Sequence, residues 1–186
     1  QIRVSMHMED PWDMREMHFG QDDSTGAATF VPTTVKNNPA AAYFDAQASN
    51  DNGMGPGFRD DFVQNAVDPL SSSALTSMQM FVSPQYNGAE SALGGAKKND
   101  YVTAATQGSN PALMVAIQSR IDDLGLGNGC SPDDPLDADA VLRRASVLSC
   151  AGCHAPKEMI GEDRSLGCGL VWPDSIGQAH ITEQGE

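Results

Sequence analysis

Two stretches near the start of the chain alternate apolar and polar side chains. Residues 14–19 follow this alternation roughly, and residues 28–35 are rich in β-branched and aromatic types. A period of two residues is typical of β-strands. Since the polar, turn-forming residues 20–26 separate the two stretches, we predict a β-hairpin or a pair of extended segments here.

The middle of the chain has a weaker pattern. Residues 37–58 are rich in Asn, Ala, Gly and Asp, which predicts a loop. A short helix is predicted over residues 59–67, and Asp68-Pro69 should stop it because the residue before a proline avoids helical geometry. Residues 71–100 hold one apolar piece between Ser- and Gly-rich flanks, and their pattern assigns no element.

A helical period appears after residue 109. We predict a helix with Asn110 as its cap and Pro111 at its first position. Three glycines between residues 125 and 129 should end it. The apolar face of this helix would consist of Leu113, Met114, Ile117, Ile121 and Leu124.

A second helix is predicted to begin near Asp137 or Asp139 and to end at about residue 149. Arg143 and Arg144 should point outward, because long charged side chains seldom lie in a core. The inner face of this helix would consist of Val141, Leu142, Ala145 and Leu148.

Together these elements predict an α+β, loop-rich fold. Residues 1–109 would form an extended or β-containing region that can serve as a docking arm, and residues 110–186 would form a helical region. The chain of 186 residues contains 18 Gly and 11 Pro and only 6% aromatic residues. This composition predicts a modest hydrophobic core.

The strongest chemical signal is Cys150-Ala151-Gly152-Cys153-His154, directly after the second helix. The spacing C-x-x-C-H is typical of a covalent attachment site for haem c. Each thiol can add across one vinyl group of the porphyrin, and the adjacent His can bind the iron. We therefore predict one covalent haem c on Cys150 and Cys153, with His154 as the proximal iron ligand.

Residues 137–156 resemble the c-type cytochromes, in which the attachment motif sits at the C-terminal end of an amphipathic helix. The resemblance implies one-electron transfer by iron and an exported, periplasmic or extracellular protein. In small cytochromes c a Met from a loop several tens of residues after the motif is the second ligand. Only 32 residues follow His154, so we do not expect the common cytochrome c fold throughout.

A looser resemblance covers the tail. Residues 169–180, with a Trp-Pro-x-Ser stretch and a His, are similar to the tail of uncharacterised exported bacterial proteins that carry a CAGCH-type motif. Residues 12–16 and 31–37 are also similar to that group. The group implies no activity for this chain.

Two residues are candidates for the distal iron ligand. His180 lies 26 residues beyond His154, which is enough chain to reach the other haem face. Met159 follows His154 by five residues, so a short segment would have to pass around the porphyrin edge, and His180 is preferred. Arg143, Arg144 and Trp172 are candidates for contacts with the haem propionates.

The remaining cysteines, Cys130 and Cys168, flank the motif. In an oxidising compartment we expect a disulfide between them. Two other arrangements of the four cysteines stay open: a redox-active disulfide between Cys150 and Cys153, and a zinc site formed by all four thiolates. The adjacent His154 favours haem over both.

Two further clusters contain metal-ligating residue types. Thioether and imidazole groups suit copper, and near the start of the chain they occur at Met6, His7, Met8, Met14, Met17 and His18. Ordinary strand packing explains these residues more simply. The acidic residues 133–139 suit calcium, although they lack the full spacing of a calcium loop and fit a helix N-terminus better.

The formal net charge is −14, from 25 acidic and 11 basic residues. We therefore expect no binding to nucleic acid or to anionic membrane surfaces. The negative charge favours a redox protein partner with a basic docking face.

The sequence contains no run of 18 apolar residues, so we predict no membrane span. Because the chain begins at Gln1, we expect a processed product or a fragment of a longer precursor.

No general base, nucleophile or substrate pocket is recognisable in the sequence, which favours an electron carrier over an enzyme. Two alternatives stay open. One is a haem peroxidase-like enzyme with an open sixth iron position. The other is a structural subunit of a surface assembly or filament, in which haem or disulfides stabilise the protein.

Overall fold

A computed structural model describes residues 2–5, 14–21, 25–33, 38–48, 51–87, 100–107 and 111–174 of the chain. The architecture is mixed, with more helix than strand and with extensive loops. The α-helices of the described residues are α1 (Gly55–Asn65), α2 (Val67–Leu70), α3 (Tyr101–Thr106), α4 (Ala112–Asp123), α5 (Ala138–Leu148), α6 (Cys150–His154) and α7 (Pro156–Ile160).

The three described strands form one antiparallel sheet. They are β1 (Ile2–Ser5), β2 (Met14–Gln21) and β3 (Ala28–Thr33), in the order β1-β2-β3. In the β2–β3 pair Phe19 lies opposite Phe30, which confirms the predicted hairpin. β1 was not predictable from the sequence pattern, because four residues are too few to show a period.

The middle of the chain contains more helix than predicted. The expected helix over residues 59–67 exists as α1, but it begins at Gly55 and ends at Asn65. Asp68-Pro69 does not stop the helical path and instead lies within α2. Pro69 is tolerated there because the N–H groups of a first helical turn need no intrahelical acceptor.

The helix predicted after residue 109 is present as α4. Pro111 precedes the helix as its N-cap and not as its first residue, and Asn110 lies outside the described residues. Leu113, Ile117 and Ile121 are buried as expected, whereas Leu124 is 40% exposed. The glycines that follow the helix all have positive φ angles: Gly125, Gly127 and Gly129.

The described core joins segments from both sides of residue 109. The rings of Phe44 and Tyr101 stack with centroids 4.2 Å apart, and Phe44 also packs edge-on against Phe58 and Phe62. The Tyr101 backbone N–H donates to Ser146 Oγ in α5 at 3.4 Å. Residues 38–87 and 100–107 therefore share one hydrophobic core with α4 and α5.

The sequence predicted that Arg144 points outward, and this prediction is wrong. It is fully buried, and its guanidinium donates four hydrogen bonds of 2.8–3.0 Å to backbone carbonyls. Loops that are distant in sequence cover this side of α5, which its local pattern could not reveal. The four acceptors are the carbonyls of Leu70, Ser72, Leu166 and Gly167.

Candidate functional site

The residues of the cysteine-histidine motif form a separate short helix, α6, and a single residue, Ser149, connects it to α5. Ser149 has extended backbone angles between the two helices. Its Oγ accepts a hydrogen bond from the Gly152 N–H at 3.1 Å and donates one to the Ser146 carbonyl at 2.6 Å. Ser149 therefore ends α5 and caps α6 with the same hydroxyl.

The inner face of α6 carries the two residues between the cysteines. Ala151 is fully buried and Gly152 is buried as well. A Cβ atom added at Gly152 would collide with the Ser146 carbonyl and would lie 2.9 Å from Val147 Cα. The last turn of α5 thus approaches α6 so closely that position 152 requires glycine.

The opposite face of α6 carries positions 150, 153 and 154. At 3.6 residues per turn these positions fall within an arc of about 100°, away from positions 151 and 152. Cys153 is exposed and carries a free thiol. The backbone therefore groups the two cysteine positions and the histidine position on one side of α6, opposite the buried positions 151 and 152.

Cys130 and Cys168 form a disulfide with their Cα atoms 4.8 Å apart. The bond closes a stretch of 38 residues that includes α5, α6 and α7. A zinc site with four cysteine thiolates would need both of these sulfur atoms in reduced form. The disulfide therefore argues against the four-thiolate arrangement.

The loop around Cys168 is held by α5 and by the residues before it. The Cys168 N–H donates to the Asp134 carbonyl at 2.9 Å. The Asp134 carboxylate accepts from the Gly169 N–H at 2.6 Å and from Ser165 Oγ at 3.3 Å. From α5, Arg144 donates hydrogen bonds to the carbonyls of Leu166 and Gly167 in the same loop. Burial lowers the pKa of this guanidinium to about 10, and the charge of Asp134 opposes this shift.

The structure describes only one of the two candidates for the distal iron ligand, Met159. Met159 is 8% exposed and belongs to the hydrophobic core. Met159 therefore has a packing role in the described core, and its ligation of iron stays a prediction. His180 lies outside the described residues, so its role stays a prediction.

The acidic residues Asp137 and Asp139, at the N-terminus of α5, have structural roles. Asp137 caps α5 by accepting from the Ala140 N–H at 2.8 Å, and Asp139 pairs with Arg143 at 2.6 Å. Within the described part of the chain, no group of three or more His, Cys, Asp or Glu side chains could hold a metal ion. The helix-cap explanation of this segment agrees with these contacts better than a calcium loop does.

The structure describes the other candidate residues only in part. Met6, His7 and Met8 lie outside the described residues, and residues 14–18 lie on β2. Arg144 is occupied by backbone carbonyls, so it is not free to bind a haem propionate. Trp172 is partly buried, and its carbonyl accepts from Arg164 at 2.9 Å.

The sequence pattern did not predict the roles of Ser149 and Asp134 or the burial of Arg144. A signal for Ser149 was present, because serine directly before a helix is a preferred N-cap.

No helix among the described residues is both long and apolar enough to cross a bilayer. Comparison with known protein families, curated proteins and solved structures found no match for this chain.

Proposed function

We propose that this protein is an exported c-type cytochrome that carries one haem c and transfers single electrons. Cys150 and Cys153 would hold the haem by thioether bonds, and His154 would be the proximal iron ligand. The observation that carries this proposal is the helical turn of α6, which groups these three positions opposite the buried residues 151–152.

The chemistry of the donor set fits this cofactor. A thioether forms when a cysteine S–H adds across a vinyl C=C bond, so that sulfur bonds to one carbon and hydrogen to the other, without an external oxidant. The free, exposed thiol of Cys153 is accessible for this addition. Once bound, the iron would supply the Fe(II)/Fe(III) couple, and the protein would fix its position.

The surface beside α6 supports a partner with a basic docking face. Glu158, Glu162 and Asp163 are exposed in and just after α7, which follows the motif directly. Lys157 is the Lys or Arg residue nearest to the motif in sequence, and its ammonium pairs with the Asp174 carboxylate at 3.0 Å. This arrangement leaves net negative charge next to the proposed haem, which would speed association with a cationic partner.

The test is to produce the chain in a bacterial periplasm together with a c-type haem maturation system. We expect an intact-mass increase of one haem and a sharp α band in the reduced-minus-oxidised spectrum. A low-spin, six-coordinate spectrum would favour the carrier, and a five-coordinate, high-spin spectrum would favour the peroxidase-like alternative.

A matched pair of double variants separates the motif from the other cysteines. Replacing Cys150 and Cys153 by Ser should abolish covalent haem, whereas replacing Cys130 and Cys168 by Ser should remove only the disulfide. The contradicting result is a wild-type protein without haem mass that is four hydrogens lighter than the fully reduced chain. Two of these hydrogens would be lost to the Cys130–Cys168 disulfide and two to a Cys150–Cys153 disulfide, which would favour a redox dithiol.

A further inference from the structure

The junction between α5 and α6 depends on one fully buried side chain, Ser149. Besides its two hydroxyl hydrogen bonds, its backbone N–H donates to the Ser146 carbonyl at 3.1 Å. Its own carbonyl accepts from the Cys153 N–H at 3.0 Å. Ser149 thus binds Gly152 and Cys153 of α6 and the last turn of α5.

A helix as short as α6 is not stable by its own hydrogen bonds. Nucleation of a helical turn is unfavourable, and helices under about 12 residues are marginal in water. The first-turn N–H groups of α6 lack intrahelical acceptors, and Ser149 Oγ supplies one for Gly152. The close contact of Gly152 with Ser146 then holds the turn against α5.

We propose that Ser149 is a positioning residue for haem attachment. It holds residues 150–154 in a helical turn before haem arrives, so that Cys150 and Cys153 are presented three positions apart on one face. This inference rests on the proposed function. Pre-organisation favours the second thioether, because the first bond brings the remaining vinyl group to a thiol that is already in place.

The variants are Ser149→Ala, which removes both hydroxyl hydrogen bonds, and Ser149→Thr, which keeps a hydroxyl at the same position. The matched control is Ser146→Ala. Ser146 is equally buried, and its Oγ donates to the Leu142 carbonyl at 2.9 Å and accepts from the Tyr101 N–H at 3.4 Å. The control loses a buried hydroxyl within α5 but keeps the carbonyl that Ser149 uses.

The first measurement is amide hydrogen exchange of Gly152 in the haem-free protein. An N-cap serine shifts the helical equilibrium by about five-fold, so Ser149→Ala should speed this exchange by about that factor. The second measurement is the ratio of double to single thioether attachment after maturation, read from the masses of haem peptides. We expect this ratio to fall about five-fold in Ser149→Ala and to recover in Ser149→Thr.

Ser146→Ala should lower overall stability and leave the ratio of double to single thioethers unchanged. The inference is overturned if Ser149→Ala attaches haem as the wild type does, or if Ser146→Ala lowers the ratio equally. A wild-type protein that attaches no haem would instead overturn the proposed function together with this inference.

Discussion

Two neighbouring arginines of α5 lie in very different surroundings. The guanidinium of Arg144 is enclosed by backbone carbonyls from the loops near residues 70 and 166. Arg143 is about one-third exposed, pairs with Asp139 one turn earlier, and donates two longer hydrogen bonds, of 3.2 and 3.5 Å, to the carbonyls of Ile160 and Ser165. With a pKa of about 10, the guanidinium of Arg144 remains charged at neutral pH. A buried charge without its hydrogen bonds is costly, so Arg144 fixes these loops onto α5.

We expect Arg144→Met to reduce the free energy of unfolding by about 3–5 kcal/mol, because it leaves several buried carbonyls without donors. Arg143→Met should cost about 1 kcal/mol or less, because its pair with Asp139 and its two longer carbonyl hydrogen bonds are partly solvated. Urea unfolding of the haem-free protein measures both losses. Equal losses in the two variants would show that the carbonyl contacts of Arg144 do not stabilise the fold.

The two arginines also show the limit of sequence-based prediction at the residue scale. Both occupy polar positions next to each other, and nothing in the local pattern distinguishes them. The carbonyl of Leu70, which binds Arg144, lies 74 residues away in sequence. By contrast, the cap Asp137 and the motif cysteines could be recognised, because their roles depend on their immediate neighbours.

At the scale of elements, α5 is the helix that positions the candidate site. It begins at a side-chain cap on Asp137 and ends at Ser149, from which α6 starts. Its N-terminal acidic residues could be explained either by calcium binding or by helix capping. The two explanations differ in what they require of the carboxylate charge, since calcium prefers anionic oxygen ligands and an N-cap does not need a charge.

We predict that Asp137→Ala lowers the free energy of unfolding by about 1 kcal/mol, whereas Asp137→Asn stays close to the wild type because asparagine caps helices equally well. Thermal unfolding in calcium and in a chelator measures both effects. The exposed Asp133 provides the control, and Asp133→Ala should change stability by about 0.5 kcal/mol or less. Calcium-dependent stability that Asp137→Asn removes would support the calcium explanation instead.

Elements with strong local signals were predictable, and those without them were not. The β2–β3 hairpin, α4 and α5 show a clear period together with turn residues or a cap. β1 and α6 have four and five residues and owe their existence to contacts with β2 and α5. The helical path through Pro69 was missed because a proline in a first turn is compatible with a helix.

At the scale of the molecule, the Cys130–Cys168 disulfide encloses the whole region that carries the motif. The enclosed segment is also held by contacts that do not depend on the disulfide. The Asp134 carbonyl binds the Cys168 N–H, and Arg144 binds the carbonyl of Gly167. The folded geometry should therefore survive loss of the bond, and the stabilisation should come mainly from restricting the unfolded chain.

Closing a loop of 38 residues removes conformational entropy worth about 4 kcal/mol from the unfolded state. We expect replacement of Cys130 and Cys168 by Ser to lower the free energy of unfolding by up to about this amount, with an unchanged far-ultraviolet circular dichroism spectrum. Denaturant unfolding of the haem-free protein checks the first point. A large loss of helix in the folded variant would show that the bond also shapes the native state. In that case the Asp134 and Arg144 contacts would be insufficient to hold the loop, and α5 would need the disulfide to present α6.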